Sequence, residues 1–310
     1  MNEISPGMAF SPDELLNLAI MTKIPILIVE GIDDVPIYER LSISVNIDCD
    51  VYASGNIACN TEGCNGVLDS IKEIRSFSQN IPVENFIIGI IDLDVRPYRN
   101  ELPTDPAIFP LHYYSIESHY INASSVEFLV PRFTNATNRL IKSETIYSMF
   151  DSICTKLSFL YYVSLEALKN SCVQDYQGSI GYSKPIKAIV NQGLHLSVLE
   201  KRDQLDAFAS SLGLSCSLET ILKICKGKWI GEIFSDALYQ SISELPENCL
   251  KSKIPQCQCC ENNEPNKCMY RKSGFYSSDL LMKHAYQNTE IQALSYIKNK
   301  IINLGHSIKG

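Results

Sequence analysis

A chain of 310 residues, 45% hydrophobic and 20% charged, is long enough for two cores at ~150 residues per domain, and this composition excludes collagen-like, coiled-coil and extensively disordered classes. Its formal net charge of −8, from 27 basic and 35 acidic residues, excludes nucleic-acid binding through a general basic surface. Any contact with nucleic acid has to be local, or carried by metal ions that offset carboxylates.

The first ten residues, MNEISPGMAF, place Glu3 where a secretory signal carries basic residues. The longest apolar runs, 24–29 and 86–91, fall far short of the ~20 residues that cross a bilayer. A soluble, cytoplasmic protein without a membrane partner is expected, and its twelve cysteines are read as reduced thiols or metal ligands rather than a disulfide framework.

Strand-like and helix-like signals then alternate. Ser11-Pro12-Asp13-Glu14 has a capping-box layout with proline at the first helical position, and apolar Leu15, Leu16, Leu18, Ala19 and Ile20 follow, so a helix starts there. Residues 24–29 (IPILIV) form a β-branched run that ends in Glu30-Gly31 and gives way to helical spacing over 34–41. A strand over 47–53 ends in Ser54-Gly55-Asn56, ahead of a helix over 67–77. The run 86–91 (FIIGII) is apolar on both faces, as a central parallel strand is, and stops at Asp92-Leu93-Asp94. A further strand is expected at 112–116, ending at Glu117. From about 123 the pattern is helical, in segments near 143–171, 196–211, 217–245 and 277–303, with an irregular stretch over 246–274. The expected class is α/β: a parallel sheet flanked by helices over 1–122, then a mainly helical domain over 123–310.

Ligands of open parallel sheets bind beyond the carboxyl ends of the strands. Three expected strands end in carboxylates: Glu30, then Asp92 and Asp94, then Glu117. In extended backbone Asp92 and Asp94 project to the same side. Carboxylates so close repel without a cation, and an all-oxygen donor set selects Mg2+ or Mn2+. Glu30 then completes the site or acts as general acid or base, chemistry that suits phosphoryl transfer. Taken alone, Asp92-Leu93-Asp94 also fits a polar strand end that caps a turn. Ser54-Gly55-Asn56 is a phosphate-facing turn or simply a tight one that needs glycine. Lys226 and Lys228, beside Trp229, are solvated or hold a substrate phosphate, and His119 is a proton shuttle or a packed ring.

Val29-Glu30-Gly31-Ile32-Asp33-Asp34 and Gly89-Ile90-Ile91-Asp92-Leu93-Asp94 resemble the two signature elements of the TOPRIM domain. Tyr114-Ser115-Ile116-Glu117-Ser118 and Lys226-Gly227-Lys228 are similar to further elements of a TOPRIM-like, OLD-related family of bacterial defence nucleases. The resemblance implies an Mg2+- or Mn2+-dependent nuclease, probed at Glu30 as catalytic acid or base, Asp92 and Asp94 as metal ligands, and Glu117 as a further catalytic carboxylate. Asp34 rather than Asp33 has the family's spacing, which puts Asp34 with Glu30 among the metal-binding carboxylates, and Lys226 and Lys228 are implied on substrate. It also implies an anti-phage toxin acting on tRNA, other RNA or DNA, restrained by an ABC-type ATPase partner and active as a homodimer.

A haloacid-dehalogenase-like phosphatase with Asp92 as nucleophile also matches an apolar strand followed by Asp-Leu-Asp-Val, but leaves Glu30-Gly31 unexplained. A non-catalytic TOPRIM scaffold is the non-enzymatic alternative. Topoisomerase and primase activities need accessory modules for which 310 residues leave no space. Separately, Cys249, Cys257, Cys259, Cys260 and Cys268 cluster in a stretch poor in apolar residues. A structural Zn2+ on Cys249, Cys257, either Cys259 or Cys260, and Cys268 would supply stability there. Reduced surface thiols and a redox-sensing disulfide are the other readings.

Overall fold

The computed structural model describes residues 10–58, 61–78 and 80–309. They group into two compact units: the described residues of Met1–Leu93, Asn100–His112 and Gln292–Gly310 form one, and Asp94–Arg99 with Tyr113–Ile291 the other. Among the described residues no helix is long and apolar enough to cross a membrane.

The first unit is an α/β layer structure. Helix α1 (Pro12–Thr22) opens on the expected capping box, with the Ser11 N–H donating to Glu14 Oε2 at 2.8 Å, and closes at Lys23, whose φ is 59°. Strand β1 (Ile26–Val29), helix α2 (Val35–Ser44), strand β2 (Asp50–Ala53), helix α3 (Gly63–Phe77), strand β3 (Ile87–Ile91) and strand β4 (Ile108–Pro110) follow. The four strands pair in the order β2-β1-β3-β4, all parallel, with Ile26 opposite both Asp50 and Ile87. Every residue of β1 and β3 is buried, because helices cover both faces of a parallel sheet. Helix α3 lies so close to β3 that a Cβ on Gly89 would stand 2.6 Å from Val67 Cγ1. The helix Ser295–Ser307 also belongs to this unit. Its Tyr296 ring stacks on His112 at 3.5 Å, and its Gly305 makes room for Ile47. Helical periodicity does not report which core a helix faces, so the sequence places 295–307 with the helices that precede it.

The fourth strand lies earlier than expected. No strand forms at 112–116; β4 is the three-residue Ile108–Pro110, and Ile116–Tyr120 is a 3-10 turn. Tyr114 and Ile116 are buried, but the Tyr114 N–H donates to the Leu222 carbonyl at 2.9 Å instead of to a neighbouring strand. Apolar residues here report packing against helices, which a short run cannot distinguish from strand pairing.

The second unit is helical. Ala123–Phe133 is capped by Asn122, whose Oδ1 accepts from the Ser125 N–H at 2.9 Å, and Leu218–Ile224 by Ser217, which accepts from the Thr220 N–H at 3.2 Å. The central element is the 24-residue helix Gly227–Leu250, which buries Ile230, Phe234, Leu238, Ile242, Leu245 and Cys249 along one stripe. It packs against Ala123–Phe133, Ser143–Leu157 and Asp279–Ala285. The stretch expected to be irregular from 246 begins later, because this helix continues through Pro246 to Leu250, with buried Leu245 and Cys249 anchoring the last turns.

Candidate functional site

In the first unit the chain runs from β1 to β2 on one side and then to β3 on the other. The carboxyl ends of β1 and β3 therefore flank the topological switch point, the place where open α/β sheets bind ligands. Glu30 is the residue after β1, and Asp92 the residue after β3. Both are half-buried, and the Asp92 N–H donates to Glu30 Oε1 at 2.9 Å. The carboxylate that follows β1 is thus fixed to the backbone that follows β3, 62 residues away.

The turn that follows β1 is self-contained. Asp34 Oδ2 accepts from the Gly31 N–H at 3.1 Å, and the Asp34 N–H donates back to the Gly31 carbonyl at 3.1 Å, while Asp33 is exposed. Ser54 is fully buried, and its hydroxyl lies 2.9 Å from the Glu30 carbonyl and 3.1 Å from that of Gly63. Its side chain therefore braces the carboxyl ends of β2 and β1; Ser54-Gly55-Asn56 forms a 3-10 turn that does not need its glycine, since a Cβ on Gly55 would come no closer than 3.6 Å to Glu62.

Asp94 belongs to the second unit. Strand β3 has ended at Ile91, and Asp94 takes a left-handed φ of 51°, so strand alternation does not govern its direction. Its N–H donates to the Tyr114 carbonyl at 3.0 Å. Burial pushes the Asp94 carboxyl above its usual value, opposed by Arg96, by a hydrogen bond from Tyr114, and by Lys226 and Arg99. Lys226 donates from Nζ to the Tyr182 carbonyl at 2.8 Å, whereas Lys228 is exposed. The positive charge of Lys226 acts on Asp94.

Glu117 does not follow a strand; it lies in the 3-10 turn Ile116–Tyr120 and faces the first residue of the long helix. A Cβ on Gly227 would run into Ser115 Oγ and Glu117 Oε2, and would stand 2.7 Å from the Glu117 carboxyl carbon. Glycine is required for that approach, and the positive end of the helix dipole suits a carboxylate there. Ser115 Oγ is buried without a hydrogen-bond partner among the described residues. His119 is buried, with Nδ1 3.0 Å from the Ser115 carbonyl and its ring beside Tyr113, so it is a packed histidine.

The cysteines resolve into a group of four. Cys249, Cys257, Cys260 and Cys268 are all buried, with their sulfur atoms within 4.8 Å of one another, and Cys259 lies outside the group. Burial disfavours the Cys257 thiolate, but hydrogen bonds from the Met269 and Cys260 backbone and from the Cys260 and Cys249 thiols outweigh it and draw Cys257 down to about 7. Burial pushes Cys260 and Cys268 up.

Tyr114, Arg96 and Arg99 are the neighbours of Asp94 that sequence reading does not single out. The two arginines follow the aspartates at once, in Val95-Arg96-Pro97-Tyr98-Arg99, and basic residues so close to paired acids are the available signal. Compared with known proteins, the chain matches no family model, and no curated protein matches it.

Proposed function

We propose that the protein is a metal-dependent TOPRIM-type nuclease that hydrolyses phosphodiester bonds of nucleic acid, tRNA foremost, as the toxic effector of an anti-phage defence system in the cytoplasm. The observation that carries this reading is the 2.9 Å hydrogen bond between the Asp92 N–H and Glu30 at the switch point of the sheet. It joins the two sequence elements that resemble the TOPRIM signature.

The donor set fits the metal: Glu30, Asp34 and Asp92 offer oxygen alone, and oxygen donors suit Mg2+ or Mn2+. An ion held there would neutralise charge on the phosphoryl oxygens. Glu30, oriented by the Asp92 N–H, takes a proton from the attacking water or returns one to the leaving oxygen. The resemblance implies Lys226 as a cation for a substrate phosphate, and a local cation suits a chain of net charge −8. A phosphatase that used Asp92 as nucleophile would leave the Glu30 hydrogen bond without a role. The resemblance further supports restraint by an ABC-type ATPase and action as a homodimer.

Incubation of the protein with tRNA, total RNA and plasmid DNA in Mn2+, Mg2+ or chelator tests the proposal. Cleavage that needs the metal and disappears in Asp92→Asn is the expected result. Cleavage that survives chelation, or a folded protein that cuts none of the three substrates, overturns it.

A further inference from the structure

We propose that Cys249, Cys257, Cys260 and Cys268 hold one structural Zn2+ as a closed tetrathiolate centre in which Cys259 takes no part. The inference stands apart from the nuclease reading, since it uses none of the acidic residues.

The sulfur geometry is that of a metal centre. Zn–S bonds of ~2.3 Å in a tetrahedron place the sulfurs ~3.8 Å apart. Cys257 Sγ lies 3.9 Å from Cys268 Sγ, and all four sulfurs fall within 4.8 Å of one another. A disulfide would bring one pair to about 2.05 Å. Thiolate donors select zinc over the hard ions that carboxylates bind.

The backbone around the sulfurs supports thiolate charge. The Cys257 N–H donates to Cys249 Sγ at 3.3 Å, and the Met269 N–H to Cys257 Sγ at 3.4 Å. Such outer contacts orient metal ligands and tune their charge. Cys257 and Cys260 bracket the start of the short helix Gln258–Glu261, and the Cys260 N–H donates to the Cys257 carbonyl at 2.9 Å. This Cys-x-x-Cys turn points two sulfurs inward. Cys259, between them, is only half-buried and lies outside the group.

The segment also lacks any other interior. Among residues 251–274 the buried ones are Cys257, Cys260, Cys268 and Tyr270. Three thiols and one phenol cannot offset the conformational entropy of ordering such a stretch, whereas a metal bound only in the folded state does so. Cys249, fully buried in the last turn of Gly227–Leu250, ties the segment to the end of that helix. Four protein ligands leave no open position for water or substrate, so the ion is structural rather than catalytic.

Metal analysis of the full chain, purified without a metal-affinity step, should find about one zinc per chain. Replacement by Co2+ should give the thiolate-to-cobalt charge-transfer and visible d–d bands of a tetrahedral sulfur site. Cys259→Ser should keep the full zinc content, and Cys257→Ser with Cys268→Ser should lose it. Should the double variant fail to fold, the wild-type protein still decides: a chelator should release the zinc, make four further thiols reactive and lower the melting temperature. A stable zinc-free chain, iron in place of zinc, a disulfide within the group, or loss of metal in Cys259→Ser would each overturn the proposal.

Discussion

Gly227 makes the tightest approach at the acidic elements, and its consequence is measurable. Alanine there would drive a methyl group into Ser115 Oγ and the Glu117 carboxylate, so Gly227→Ala should destabilise the protein by about 1–3 kcal/mol. Ser115 Oγ is buried without a hydrogen-bond partner among the described residues, and Ser115→Ala should therefore be nearly neutral alone yet recover part of the loss when combined with Gly227→Ala. Denaturant unfolding of the two single variants and the double reads this coupling; simply additive effects would contradict it. At this scale the strand-end positions of Glu30 and Asp92 were legible, because each follows an apolar run that forms a strand. Tyr114 was not: a tyrosine in an apolar stretch looks like core, and only the fold reveals its hydrogen bond to Asp94.

In the first unit, helix α3 is tied by charge as well as by apolar packing to the segments that lead into β3 and β4. Arg75 on α3 reaches Asp105 at 2.8 Å and Glu84 at 2.6 Å, and its guanidinium holds the Asp105 carboxyl below the usual carboxylate range. Arg75→Ala should cost about 2 kcal/mol at neutral pH. Because the folded pKa of Asp105 is depressed, its contribution is complete above the unfolded value of about 3.9 and is lost as pH falls through the folded value. The stability gap between wild type and Arg75→Ala should therefore narrow in acid; a gap that stays constant down to the acid transition would contradict this account.

In the second unit, the helix Leu160–Cys172 carries Glu166 fully buried, paired with Lys201 at 2.8 Å and accepting from the Ser179 N–H at 3.0 Å and the Tyr176 hydroxyl. Lys201→Met should destabilise by about 3 kcal/mol, since it leaves a buried carboxylate without its cation. Thermal unfolding checks this, and an unchanged midpoint would show that the tyrosine and backbone donors suffice. Neither pairing was legible in the sequence, where partners 30 and 35 residues apart carry no local mark. The capping box of α1 and the continuous apolar runs of β1 and β3 were legible for the opposite reason, since their signals are contained within a few residues. Strand β4, three residues long, is too short for that, and the segment after it buries Tyr114 and Ile116 without strand pairing.

Across the whole molecule, a net charge of −8 confines any attraction for nucleic acid to a few places, and the carboxyl ends of β1 and β3 are where a cation would bring it. The α/β class followed from the alternation of strand and helix signals, whereas the return of Ser295–Ser307 to the sheet unit depends on packing that periodicity does not encode. Which cysteine completes the group of four was similarly ambiguous in sequence, because Cys259 and Cys260 are adjacent and only the turn of the chain selects between them.

The claim that Glu30 and Asp92 form a divalent-metal site is tested most directly by calorimetric titration of Mn2+ into wild type and Asp92→Asn, with circular dichroism confirming that both are folded. The account predicts saturable binding to the wild type and a loss of affinity of more than about tenfold in the variant. Equal affinity in the two folded proteins, or no binding to the wild type, would contradict it.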